Sequence, residues 1–161
     1  MVHLLMRILL IWDVFDYANP VFCEINSIGR QWVRLYALAA VKEMLDTKKF
    51  KTKRNTRAVG VAGTMTSLAA IDLQIDEYDP EHMNGHVIVS EKLKKGIEIF
   101  SLHTHQQLLE LSPKVMKGRE DIFLAGLLIL EGFLNYFGLE EIKVSTGGIR
   151  HGALIHDVEN D

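Results

Sequence analysis

Two short strand-length runs in this chain end at glycine and hand over to helical sequence. One is Arg57-Ala58-Val59-Gly60-Val61-Ala62, followed by Gly63-Thr64. The other is Glu141-Ile142-Lys143-Val144-Ser145, followed by Gly147-Gly148. Short, largely apolar runs bounded by glycine turns are the pattern of buried strands. A strand that turns into a helix through glycine belongs to α/β architecture, in which helices cover a sheet and ligands collect at strand ends.

The remaining segments agree with an alternation of strands and helices. Arg7–Val14 is a continuous apolar run of strand length, and Val21–Ile25 is a candidate returning strand after the turn at Tyr17–Pro20. Gln31–Thr47 places Trp32, Leu35, Tyr36, Leu38, Ala39, Val41 and Leu45 at helical spacing, which predicts an amphipathic helix. Lys48–Arg57 reads as a basic connector. Thr64 is expected to cap a helix over Thr66–Leu73. Asp76–Gly85, punctuated by Pro80 and Asn84-Gly85, reads as a loop, and His86–Val89 as a strand. A helix follows from Ser90 to Phe100, and another runs from a Thr104 cap to Leu111. Arg119–Phe137 is apolar nearly all round. It predicts a helix sandwiched inside the domain, with Gly126 and Gly132 permitting close approach and Gly138 at the C-cap. The Gly147-Gly148 turn should lead into a last short helix, and 157–161 form an acidic tail.

The chain has 161 residues, enough for one domain with a core, and no linker divides it. Hydrophobic residues at 48% and charged residues at 24% exclude a disordered composition. A net charge of −3 gives no global electrostatic case for nucleic acid or an anionic membrane. Cys23 is the only cysteine, so no internal disulfide forms, and a reducing, cytoplasmic setting fits. Leu4–Trp12 is too short to span a bilayer and lacks the small-residue cleavage site of a leader peptide.

The two glycine junctions have the logic of a phosphate cradle. Glycine lets the backbone come close to an anion, and successive amides, a helix N-terminus and the hydroxyls of Thr64 and Thr66 can donate to it. Around Ser145 and Gly148 the same design recurs with a guanidinium, Arg150, suited to multidentate phosphate contact. Each junction alone is also what an ordinary tight turn looks like; the pairing of two in one α/β domain is what suggests an anion site. Other polar groups read more plainly. His103 and His105 lack a third ligand nearby, and Asn84-Gly85 breaks any helical pairing of His82 with His86. The basic run Lys48–Arg57 reads as a solvated connector, and Glu131 as a hydrogen-bonded or marginal residue of an apolar helix. His151 stands beside the second turn as a candidate contact or a plain loop histidine.

These motifs resemble those of the exopolyphosphatase and guanosine pentaphosphate phosphohydrolase family. VGVAGTMTSLAAID is similar to its "vGGTaTtLA" segment, and YDPEHMNGHVIVSEKL to its "YDpekvHGy.l" segment. GREDIFLAGLLILEGFLNYFGLEEIKVSTGGIRHGALI is similar to "RADvi..G..iL" followed by "i.vS..GlReGll". The three occur in the family's order over Val59–Ile155. Upstream, CEINSIGRQWVRLYAL resembles "siniGavRlte". ILLIWDVFDYANP stands where the family has "vDiGGGStE", without its glycines and serine, and with Asp13 near the place of a metal-associated aspartate.

The resemblance implies an actin-like ATPase fold of the sugar-kinase and actin superfamily, with a mixed sheet and helices packed around it. The chain would form the second domain over 1–156, degenerate over 1–30, and would be truncated. The implied activity is hydrolysis of terminal phosphoanhydrides of polyphosphate or guanosine pentaphosphate in a cleft between two domains. Magnesium and loop amides would stabilise the transferred group, and a glutamate of the first domain would activate water. That domain is not in this sequence. The resemblance assigns phosphate contact or loop shaping to Gly63, Thr64, Thr66, Ser145, Gly148 and Arg150, with Gly152 shaping the second turn, and none of these transfers a proton. Ala62 stands in place of a glycine and His151 in place of a glutamate. The expectation is therefore a phosphate-binding domain without a catalytic residue or an intact metal site. It would pair as a homodimer or with a separate first-domain chain. A non-catalytic binding or dimerisation module and a truncated relic are the alternatives.

Overall fold

In the computed structural model, residues 27–48, 56–148 and 151–152 are described. The expected strands at Arg7–Val14 and Val21–Ile25, most of the basic connector, and Arg150 lie outside them. Helix α1 is Ser27–Lys48, four residues longer at its start than the hydrophobic spacing predicts. Strand β1 (Ala58–Gly60) leads to α2 (Gly63–Leu73), the one-turn α3 (Pro80–Met83) and β2 (Val87–Val89). Then come α4 (Ser90–Phe100), α5 (His105–Leu111), α6 (Pro113–Met116), α7 (Phe123–Phe137) and β3 (Glu141–Val144).

The three strands form a mixed sheet in the order β1-β3-β2, with β1 parallel and β2 antiparallel to β3. The register pairs Gly60 with Val144 and Ile88 with Ile142. Alternation sends Ala58, Gly60, Ile88, Ile142 and Val144 inward, and leaves Val59, Val87, Val89, Glu141 and Lys143 on the other face. The inward residues join a core with Met65, Leu68, Leu93, Ile97, Phe100, Phe123, Leu127 and Leu134. Phe100 meets Phe123 edge-on, with ring centroids 5.4 Å apart.

Helix α7 runs through this core with ten buried residues, as its all-round apolar pattern predicts. Its two glycines are packing devices. A Cβ on Gly132 would lie 2.9 Å from Val41 of α1, and one on Gly126 would lie 2.6 Å from the Thr64 hydroxyl of α2. Gly138 closes α7 in the left-handed conformation, φ 61°.

Four local expectations need correction. Helix α2 begins at Gly63, with Ala62 at the N-cap, so Thr64 lies inside the first turn and caps nothing. The reason is the backbone of Ala62, whose φ of 73° and ψ of −175° turn the chain before Thr64 is reached; Thr66 N–H then donates to Ala62 O at 3.2 Å. The 76–85 stretch is not all loop. Asp79 accepts from the amides of Glu81 and His82, and Pro80 sits at the first position of α3, a strong start signal in only four residues. Proline at the first helical position also starts α6 at Pro113, here without a side-chain cap from Ser112, and the sequence reading passed it over. Helix α7 starts at Phe123, because residues 119–122 form a turn in which Phe123 N–H donates to Arg119 O at 2.8 Å. The Thr104 cap is present as expected, as a full capping box with Gln107.

Candidate phosphate site

Because β1 and β3 are parallel and Gly60 pairs with Val144, the segments that follow them leave the sheet at the same end. Ser145 N–H donates to Gly60 O at 2.8 Å, which fixes the second turn beside the first. Gly63, Thr64, Thr66, Ser145 and Gly148 are thus brought to one end of the sheet. Arg150 belongs to the undescribed residues.

The two turns differ in how their donors are used. At the first, the amides of Gly63, Thr64 and Met65 precede the first intrahelical bond, and no side chain among the described residues caps them. One of the two hydroxyls there is committed elsewhere. Thr66 is buried and bonds back to Gly63 O at 3.1 Å, and Thr64 packs on Gly126. Ala62 occupies a backbone region that is almost exclusive to glycine, a local strain at the lip of the turn.

A guanidinium missed by the sequence reading lies against this turn. Arg119 Nη1 donates to Ser67 Oγ at 2.7 Å and to Gly63 O at 3.4 Å. A Cβ on Gly63 would stand 2.9 Å from Arg119 Nε, so glycine is what lets the guanidinium settle there. None of the ion pairs among the described residues involves Arg119. The neighbouring Glu120 carboxyl is engaged by backbone instead: the amides of Glu120 itself, Arg119 and Gly118 hold it below the usual carboxylate range. The only signal for Arg119 was its place at the head of the GREDIF motif.

At the second turn the donors are occupied. Thr146 N–H donates to Asn84 Oδ1, Gly147 N–H to Ser145 Oγ and Gly148 N–H to His151 Nδ1, each at 3.2 Å. The histidines weighed as metal ligands have other partners. His103 donates to Ile99 O, His82 pairs with Asp79, and His86 pairs with Asp72 at 2.7 Å. Among the described residues no three His, Cys, Asp or Glu side chains converge to hold a metal ion.

A small mixed sheet wrapped by helices, with two glycine turns at one end, agrees with the actin-like ATPase fold. The family model for the Ppx/GppA phosphatase family matches residues 20–161, and the chain belongs to that family. It is 30% identical over 141 residues to a bifunctional 3-dehydroquinate synthase/phosphatase of Fusobacterium nucleatum, covering 86% of this chain and 19% of that protein. A crystal structure of the Aquifex aeolicus member of the Ppx/GppA family superposes with TM-score 0.78 at 23% identity, covering 91% of this chain and 46% of that one. An exopolyphosphatase from Cytophaga hutchinsonii gives 0.64 at 18% identity, covering 84% and 43%. The chain thus spans less than half the length of the proteins it matches. Among the described residues, no helix is long and apolar enough to cross a membrane.

Proposed function

We propose that this chain is the phosphate-holding half of a Ppx/GppA-type phosphatase, binding the terminal phosphates of polyphosphate or guanosine pentaphosphate without hydrolysing them on its own. The observation that carries the reading is the uncapped first turn of α2 with the Arg119 guanidinium against Gly63. Open amides at a helix N-terminus and a cation that pairs with no carboxylate among the described residues both favour a multiply charged anion. Family membership makes a phosphoanhydride chain the natural choice of anion.

Hydrolysis needs a group that takes a proton from water, and Gly63, Thr64, Thr66, Ser145, Gly148, Arg119 and Arg150 include none. A chain carrying the other half of the cleft would supply it, as the resemblance implies. A second copy of this chain and a cytoplasmic setting fit the same reading, with Cys23 kept reduced.

The test is phosphate release from polyphosphate and guanosine pentaphosphate with magnesium, beside binding of both ligands by thermal shift. Stabilisation without release is expected. Steady turnover that is lost in Arg119→Ala would overturn the inactive half of the proposal, and absence of any shift would overturn the binding half.

A further inference from the structure

We infer that Ser67 is a positioning residue of the site: it pins one nitrogen of Arg119, so that the Nε/Nη2 edge of the guanidinium is presented to a phosphoryl group as a fork. This rests on the phosphate-binding reading and names the group that aims its cation. Both hydrogen bonds that the Arg119 side chain makes among the described residues leave from Nη1, to Ser67 Oγ at 2.7 Å and to Gly63 O at 3.4 Å. The other edge stands beside Gly63, where a Cβ would lie 2.9 Å from Nε and 3.2 Å from Nη2. Gly63 is the first residue of the uncapped turn. Two parallel N–H groups on one edge match two oxygens of one phosphoryl group, a bidentate geometry that arginine offers and lysine does not.

Burial is what makes Ser67 an anchor. It is 0% exposed on α2, and its hydroxyl donates to Val115 O at 3.4 Å. A hydroxyl has one hydrogen to give and two lone pairs to fill. Donation to a carbonyl leaves the oxygen to accept, and a buried acceptor without a donor is costly. Arg119 supplies that donor from 52 residues away. The adjacent acid does not compete for the guanidinium, because the Glu120 carboxylate accepts the Arg119 main-chain N–H at 2.8 Å. An arginine loose in water gives up rotamer freedom when it grips an anion. Here folding has already taken that freedom at Nη1, so less is lost on binding. Ser67 therefore acts through Arg119 and not on the anion itself.

The experiment is a double-mutant cycle, read by calorimetric titration of metal-free inorganic pyrophosphate into the full chain at pH 8. The parent, Ser67→Ala, Arg119→Ala and the double variant are compared, each shown to be folded by its melting curve. Loss of the anchor should weaken binding about 3- to 10-fold in Ser67→Ala and change nothing further once Arg119 is replaced. Ser67→Cys, which keeps a weak acceptor in a similar volume, should fall between the two, and it takes the place of Ser67→Ala in the cycle if the alanine chain does not fold. In the parent, the Arg119 Nε–H resonance should move on titration. Equal affinity in the parent and Ser67→Ala, or the same loss with and without Arg119, overturns the positioning role and leaves the site standing. An Nε–H resonance that stays in place while pyrophosphate binds overturns the fork. No binding by the parent, or binding untouched by Arg119→Ala, overturns the phosphate reading itself, and this inference with it.

Discussion

Arg34 holds Glu131 at two points, Nε to Oε2 at 2.9 Å and Nη2 to Oε1 at 2.5 Å, joining α1 to α7 across 97 residues of sequence. The two partners are unequally buried. Glu131 is 2% exposed, whereas the Arg34 side chain is 28% exposed and also lies 3.9 Å from Glu98. The hydrogen bond to Glu131 holds the Arg34 guanidinium above its ordinary value, against partial burial.

Deleting either partner should therefore have different effects. Arg34→Ala leaves a buried carboxylate alone and should cost about 3 kcal/mol. Glu131→Leu leaves a guanidinium that can turn to Glu98 or to water, and should cost under about 1 kcal/mol. Chemical denaturation of both variants checks the asymmetry, and equal losses would contradict it.

Ala62 should be improved by glycine. The φ of 73° with ψ of −175° carries strain of about 1–3 kcal/mol for a residue with a Cβ. Glycine relieves it while adding up to about 1 kcal/mol of unfolded-state entropy. Ala62→Gly is expected to raise the melting temperature; a fall would mean the turn is not strained there.

Gly132 should not tolerate alanine. The new Cβ would meet Cβ and Cγ1 of Val41 at 2.9 Å, and a β-branched side chain has little room to move. Overpacking of this kind costs about 1–3 kcal/mol. Gly132→Ala combined with Val41→Ala should lose less than the sum of the two single changes, which a double-mutant cycle measures.

Asp72 links α2 to β2 and α4 through His86 at 2.7 Å and Lys92 at 2.8 Å. Burial, the largest single influence, pushes its carboxyl up; hydrogen bonds and charges from Lys92 and His86 together outweigh it, so the net shift is downward. A depressed folded pKa contributes stability in full above the unfolded value, about 3.9, and loses it as pH falls through the folded value. Asp72→Asn should cost about 1 kcal/mol at pH 7, and the gap from the parent should close below about pH 4. A constant gap from pH 7 to pH 3 would contradict the linkage.

The elements legible in the sequence were those with strong local signals. The Thr104 capping box, the Gly138 stop and the apolar length of α7 all announce themselves within a few residues. The glycines of α7 were legible as close-approach sites because little else explains glycine inside an apolar helix. The start of α2 was misread because a threonine after glycine suggests a cap, whereas the backbone of Ala62 decides the matter. Arg119 was not legible as a site residue. It is 56 residues from the Gly63 carbonyl it reaches, and only tertiary packing brings the two together. The Asn84 contact at the second turn was invisible for the same reason, since Asn84 comes from 62 residues away.

The central claim is that Arg119 and the Gly63 turn together hold phosphate. The most direct test is the affinity of the full chain for inorganic pyrophosphate, in the parent and in Arg119→Ala and Arg119→Lys. Loss of one charge-assisted contact should weaken binding about 10-fold or more in Arg119→Ala, with partial recovery in Arg119→Lys, which keeps the charge but not the fork. Equal affinity in all three chains, each shown to be folded, would contradict the account.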